Sequence, residues 1–376
     1  MALTIGVIRE TAEREKRVAI DPPVAKRLLD AGLSVVVERG AGIASGHPDT
    51  SWPDVEWADS ARDVAARCDV LACVQRPESE VLDAMRQGAL LVGSLAPYRD
   101  LDRLGTAVEN GVSMIAMELI PRISRAQSMD VLSSQATIAG YQAVLIAADR
   151  SPRMFPMLTT AAGTLRPARA VVIGAGVAGL QAIATARRLG CQVEAYDIRA
   201  AAREQVESLG AKMIDTGVDA ETEGGYARDL TDEEKARQAE ALSDRLSAAD
   251  VVISTAAVPG RPAPKIIDSD MVEKMKPGSV LVDIAAETGG NCELTRPGEC
   301  FATGGGVIVD GPLALPSRCP LHASEMYAKN VFNLLQTMVR DGELVVDRED
   351  EVVRGALLAH AGRIVHERFL EKKDEG

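Results

Sequence analysis

Val171-Val172-Ile173 runs straight into Gly174-Ala175-Gly176-Val177-Ala178-Gly179, and a helical pattern follows as far as Leu189-Gly190. No other stretch limits the fold so tightly. Three glycines at this spacing, entered from a strand and left by a helix, suit the first turn of a dinucleotide-binding domain. Gly174 permits the tight turn, Gly176 lets the backbone approach a pyrophosphate, and Gly179 lets the helix pack on the strand, with Ala175, Val177 and Ala178 completing the loop. The pyrophosphate charge would rest on the helix N-terminus, where unpaired N–H groups and the helix dipole favour anions. The next strand ends at Asp197, close to the spacing of about 20 residues at which an acid accepts the ribose hydroxyls of NAD and repels the 2′-phosphate of NADP. Arg199 argues the other way, because an arginine there can serve a 2′-phosphate. The plain alternative is a degenerate glycine turn with a surface aspartate.

The text around this motif alternates strand and helix. Ala170–Ile173, Gln192–Tyr196, Lys212–Ile214, Asp250–Thr255, Val280–Ile284 and Val307–Val309 read as strands, with predicted order 3-2-1-4-5-6. In the first third, Leu3–Ile8, Ser34–Glu38, Val70–Val74, Leu90–Leu95 and Ser113–Met117 read as strands, separated by helices at Pro22–Leu29, Ser60–Arg67, Ser79–Arg86 and Leu101–Glu109. The expectation is an α/β chain of two domains, each an open parallel sheet with flanking helices. Residues 131–317 form a six-stranded Rossmann domain, and 1–130 with 318–376 form a discontinuous flavodoxin-like one. A helix at Leu132–Ala148 bridges the two, and a second at Ser324–Val339 returns to the first. Asp215–Asp229 is a long acidic insertion before a capping box at Thr231 and Glu234. Beyond Asp341 the text suggests a short hairpin and a charged end.

Composition agrees. With 46% hydrophobic residues but only 3% aromatics, the core must be built from Ala, Val, Ile and Leu, as in parallel layers covered on both faces. The net charge of −13 speaks against nucleic acid or an anionic lipid surface as partner. Six cysteines (68, 73, 191, 292, 300, 319) form no Cys-x-x-Cys pair and read as reduced thiols. The four histidines (47, 322, 360, 366) lack metal spacing, so no metal is expected. Leu3–Ile8 is too short and too β-like for a signal peptide, and no run approaches the roughly 18 apolar residues of a membrane helix, so no membrane insertion is expected.

Between the domains, Pro121–Ser133 gathers Arg122, Arg125, Gln127, Asp130 and several serines. Convergent polar groups at a junction can hold a nicotinamide ribose and carboxamide. Equally, Asp130 and the serines can be caps of the following helix. Pattern alone leaves both readings standing.

Gly174–Gly179 with Leu180–Ala186, and Arg122–Gln135 before it, resemble the NAD(H)-binding α1 component of the proton-translocating nicotinamide nucleotide transhydrogenases, a family related to alanine dehydrogenases. So do Gln205–Gly210, Gly224–Ala227, Pro259–Pro264 and Glu287–Cys292. The resemblance implies that Arg122, Gln127, Asp130 and Ser133 line the nicotinamide end. It implies that Gly174–Gly179, Asp197, Ile198, Arg199, Ala256 and Gly260 hold the rest of NAD(H), and that Tyr226 sits on a loop closing over it. It further implies reversible hydride transfer from NADH to NADP+ bound on a partner β subunit, coupled to proton translocation by a separate membrane-spanning subunit. A homodimer, cytoplasmic and held peripherally at the inner (plasma) membrane, goes with that reading.

The rival is an alanine dehydrogenase-like, NAD-dependent amino-acid oxidoreductase, with a non-enzymatic NAD(H) sensor as a third class. Amino-acid oxidation moves protons as well as a hydride and needs a base and a cation at the substrate. In that family a lysine and a histidine stand where this chain has Gln75 and Ala96, whereas Arg17 matches a substrate arginine or is structural. Hydride passage between two nicotinamides needs no such pair.

Overall fold

A computed structural model describes residues 2–199, 201–217, 231–258 and 260–370. Contacts divide the chain into two compact units, Met1–Gln135 with Pro316–Gly376, and Ala136–Leu315.

The first unit is built on β1 (Thr4–Val7), β2 (Ser34–Glu38), β3 (Glu56–Ala58), β4 (Val70–Gln75), β5 (Leu90–Ser94) and β6 (Ser113–Ala116). They lie parallel in the order β3-β2-β1-β4-β5-β6. The five strands read from the sequence thus take the flavodoxin order 2-1-3-4-5. β4 shows why such strands read as unbroken apolar text: Val70, Ala72 and Val74 face one core, Leu71 and Cys73 the other. Three further strands of this sheet were not expected. β3 is only three residues long and carries a glutamate, too little for a pattern. Past a short hairpin at Val339–Leu344, the helix Glu351–Ala356, capped by Asp350, leads into Leu357–His360. That strand pairs antiparallel with β6, and Arg363–Ile364 pairs antiparallel with it in turn. The tail therefore finishes the sheet as well as forming a hairpin.

The first strands of the second unit form an exposed antiparallel hairpin, β7 (Leu158–Thr160) and β8 (Gly163–Leu165). Its main sheet comprises β9 (Arg169–Ile173), β10 (Gln192–Tyr196), β11 (Lys212–Met213), β12 (Val251–Ser254), β13 (Val280–Asp283), β14 (Cys300–Ala302) and β15 (Ile308–Asp310). Its order, β11-β10-β9-β12-β13-β15-β14, is the expected 3-2-1-4-5-6 with one antiparallel edge strand, β14, added. Ala170 and Val172 point into one core, Val171 and Ile173 into the other. The capping box at the helix Asp232–Ala248 is present, Thr231 Oγ1 accepting from Glu234 N at 3.3 Å. Tyr226 and most of the acidic insertion lie outside the described residues.

The helix Val131–Arg150 is longer than expected and, by length and composition, apolar enough to cross a membrane. No apolar run of that length occurs in it, because Ser133, Ser134, Gln135 and Thr137 interrupt the text. Its Ala143, Val144, Ile146 and Ala147 are buried in the core of the second unit.

Candidate nucleotide site

The glycine turn is packed as its three separate tasks require. Gly174 has φ +91°, and a Cβ there would stand 2.6 Å from Thr255 Oγ1. A Cβ on Gly179 would stand 1.7 Å from the Gly174 carbonyl oxygen, so only glycine lets the helix Val177–Arg188 begin this close to β9. Gly140, on the long helix, is held the same way: its Cβ would lie 2.1 Å from the Ala178 carbonyl oxygen. Gly176 differs. It is the N-cap residue, no side chain caps it, and a Cβ there would meet nothing within 4 Å. Open space in front of an uncapped helix N-terminus fits a pyrophosphate.

Asp197 follows β10, its side chain 8% exposed. Its Oδ2 accepts from Ala175 N at 2.7 Å and from an Arg199 terminal nitrogen at 2.9 Å, while Oδ1 accepts from Arg199 N and Nε, both at 2.9 Å. Burial opposes ionisation, but the bonds from Arg199 and Ala175 outweigh it and hold the carboxyl below its usual range. The acid therefore ties the turn to the end of β10. Arg199 lies forked against it. Ile198 is half-buried beside the core under β10.

After β12 the chain is fixed by residues the sequence reading passed over. Thr255 Oγ1 donates towards the Ile173 and Gly174 carbonyl oxygens, both at 3.0 Å. Asn291 is fully buried and satisfied: its Oδ1 accepts from Ser254 Oγ (2.7 Å) and Ala256 N (3.0 Å), and its Nδ2 donates to the Ala256 (2.7 Å) and Pro264 (2.9 Å) carbonyl oxygens. Asn291 thus sets the path of the segment carrying Ala256 and Gly260, the latter at φ +74°. The available signal was an asparagine directly after Gly289-Gly290.

Arg122, Gln127, Asp130 and Ser133 fall in the first unit. Asp130 does cap the long helix, its Oδ1 accepting from Ser133 N at 2.9 Å and its Oδ2 from Ser133 Oγ at 2.6 Å. Arg122 and Gln127 are exposed. The backbone between them is anchored by buried Ala126 and Met129, and the Ser128 carbonyl accepts from Asn330 (2.8 Å) and Asn333 (3.0 Å).

The same unit holds buried Arg17 and half-buried Gln75 in a charge cluster whose two carboxylates, Glu10 and Glu15, the sequence did not announce. Arg17 grips Glu15 with Nε (2.7 Å) and a terminal nitrogen (2.6 Å), and Gln75 Nε2 donates to Glu15 at 3.1 Å. Desolvation opposes charge on Glu15, but Arg17 and Ser317 outweigh it and lower its pKa to about 2. Glu10 nearby goes the opposite way. Burial raises it to about 8 although Val74 N and Gln75 N donate to it. Ala96 offers only a methyl group. Among the described residues no group of three His, Cys, Asp or Glu stands ready for a metal.

Residues 6–139 match the family model for the alanine dehydrogenase/PNT N-terminal domain, and residues 143–367 the model for the C-terminal domain. The chain belongs to the alanine dehydrogenase/PNT family. It is 44% identical to an NAD(P) transhydrogenase subunit alpha polypeptide of Rhodospirillum rubrum, over 97% of this chain and 98% of that one. A transhydrogenase crystal structure from Sinorhizobium meliloti superposes with a TM-score of 0.88 at 43% identity, covering 96% of this chain and all of that one. An L-alanine dehydrogenase structure gives a TM-score of 0.82 at 25% identity, over 97% of this chain and 98% of that one. Both kinships expected from the motifs are thus present, with higher identity to the transhydrogenases.

Proposed function

We propose that this chain is the NAD(H)-binding component of a proton-translocating transhydrogenase, an oxidoreductase in which hydride passes reversibly between NADH here and NADP+ on a partner subunit. The observation that carries the proposal is the open, uncapped turn at Gly176 tied to Asp197, in a chain 44% identical to a transhydrogenase alpha subunit. NADH, when bound, supplies the hydride. The N–H groups at the start of the helix Val177–Arg188 neutralise its pyrophosphate, and Asp197 receives the adenosine ribose, with Ile198, Arg199, Ala256 and Gly260 beside it. At the nicotinamide end Gln127 orients the ring and Ser133 contacts the carboxamide, an ion pair of Arg122 with Asp130 holds the segment that carries them, and Tyr226 closes over the nucleotide.

The charge on Asp197 sets cofactor choice. NADH is expected to bind much more tightly than NADPH, and Asp197→Ala to weaken NADH and narrow that gap. Losing a charge-assisted bond costs about 1.5–3 kcal/mol, roughly ten- to hundredfold in affinity. Calorimetry giving equal affinities for both nucleotides in the native protein would remove the assignment.

An NADP(H)-binding β subunit and a membrane-spanning subunit complete the enzyme, so this chain works at the cytoplasmic side of the inner membrane without entering it. We assign a homodimer as well. The hairpin β7–β8 and its approach leave Met154 (53%), Met157 (65%), Leu158 (38%) and Leu165 (53%) exposed, apolar surface of the kind a second copy covers.

The alanine dehydrogenase reading fails on chemistry. Gln75 has no proton to exchange near neutral pH and already donates to Glu15, and Ala96 has none at all. The deciding experiment measures hydride exchange by the pure chain with and without an NADP(H)-binding transhydrogenase component, beside NAD-dependent oxidation of alanine. Exchange only with the component, and no turnover of alanine or of pyruvate plus ammonia, is expected. Robust alanine oxidation by the chain alone would overturn the proposal.

A further inference from the structure

The segment Ser124–Met129, which carries Gln127, is a 3₁₀ turn with no side-chain cap at its start. Hydrogen bonds of that geometry are poor, so a short 3₁₀ turn takes its shape from what it is tied to. On one side the tie is the helix Pro320–Met338, through Asn330 and Asn333 to the Ser128 carbonyl. On the other it is the tail of the chain. Arg125 Nη1 donates to Asp350 Oδ2 at 2.7 Å and Nη2 to Asp350 Oδ1 at 2.9 Å, a fork between residues 225 apart in sequence.

Asp350 stands on a fixed base. Its Oδ1 also accepts from Val352 N (2.8 Å) and Val353 N (3.2 Å), which starts the helix Glu351–Ala356. Val352 and Val353 are buried in the same core as Ala126 and Met129. That helix meets the chain again just ahead of the turn, where a Cβ on Gly355 would stand 3.0 Å from Pro121 Cδ. The Arg125 fork holds the Asp350 carboxyl down at about 2, so the pair is charged at neutral pH.

Arg125 is exposed, and an exposed ion pair contributes little to stability. What two parallel bonds supply is direction, since they fix the guanidinium plane and with it the backbone that carries it. We propose that Arg125 and Asp350 are positioning residues for hydride transfer, their fork setting the turn from which Gln127 presents its amide. This inference rests on the placement of Gln127 at the nicotinamide end. It gives the tail a share in the reaction that acts through Gln127 and not by contact with the nucleotide.

Asp350→Asn separates the two tasks of the carboxylate. The asparagine Oδ1 still accepts from Val352 N and Val353 N, so the helix keeps its cap, but the nitrogen in place of Oδ2 cannot accept from Arg125 Nη1. Asp347→Asn is the matched control. It removes the same charge from the same stretch, but the partner of Asp347 is Arg340, in the tail itself, at 3.0 Å. Single-turnover hydride transfer in the complete reconstituted complex is measured for each variant, beside calorimetry of NADH binding. Asp350→Asn and Arg125→Gln are each expected to slow the hydride step by roughly tenfold, because a small displacement of an orienting group is costly. Their NADH affinity should stay within about twofold of native. Arg125→Lys, a charge without the fork, should fall between, and Asp347→Asn should behave as native. Asp350→Asn combined with Gln127→Asn should slow the step by less than the product of the two effects, since both act through one amide. A native rate in both fork variants, an equal loss in Asp347→Asn, or a full product in the double variant would overturn the positioning role. Native protein that exchanges no hydride in the complex would instead sink the functional reading, and this inference with it.

Discussion

Gly179→Ala is expected to lower NADH affinity by more than a hundredfold and to reduce the thermal stability of the protein. The new Cβ would lie 1.7 Å from the Gly174 carbonyl oxygen, 2.8 Å from its carbon and 3.1 Å from Thr255 Oγ1. Two of those atoms are backbone and cannot swing aside as the tip of a flexible side chain can. The helix must back away from β9, at an overpacking cost of about 1–3 kcal/mol or more, and its N–H groups leave the place where the pyrophosphate belongs. Gly176→Ala is the contrast. Its Cβ meets nothing within 4 Å, so Tm should hold while NADH affinity falls, because the methyl enters the space left for the nucleotide. Calorimetry and a thermal melt on both variants separate fold from site. Unchanged NADH binding by Gly176→Ala would remove the pyrophosphate from that position.

Gln127→Asn is expected to slow hydride transfer by roughly ten- to hundredfold or more while leaving NADH affinity nearly unchanged, since a misplacement of about 1 Å can cost a hundredfold. An amide donates and accepts at once, so it can bridge ribose and carboxamide without adding charge beside the transferred hydride. The local structure makes the test clean. Gln127 is exposed, whereas its segment is anchored by Ala126, Met129 and the bonds from Asn330 and Asn333 to Ser128. Shortening the side chain by one methylene leaves those anchors alone. Single-turnover kinetics of the reconstituted complex give the answer. An unchanged rate, or a loss fully explained by weaker NADH binding, takes Gln127 out of the mechanism.

The sheets were legible because burial on both faces writes their strands as short aliphatic runs, and glycines punctuate the helices between them. What escaped was short or at an edge. β3, β14, the hairpin β7–β8 and the strands at 357–364 are two to four residues each, which leaves no period to read. The glycine turn and Asp197 could be found because their spacing is local. Asn291 could not, since what it does for Ala256 depends on a contact spanning 35 residues. Nor could Glu15, whose partners Gln75 and Ser317 stand 60 and 302 residues away. At the level of text it is one acid in a charged run.

The strands at 357–364 bear on how the molecule is made. The second unit is a single stretch of chain, and every strand of its main sheet has emerged once residue 310 leaves the ribosome. The first unit has no such independence. Its core draws on Tyr327, Leu334, Leu335 and Met338, and β6 stays an open edge until Leu357–His360 arrives to pair with it. Domains are generally completed in the order in which their chain is delivered. The nucleotide-binding half can therefore be finished while the half that began first still waits, its apolar strands exposed to whatever else in the cell would pair with them.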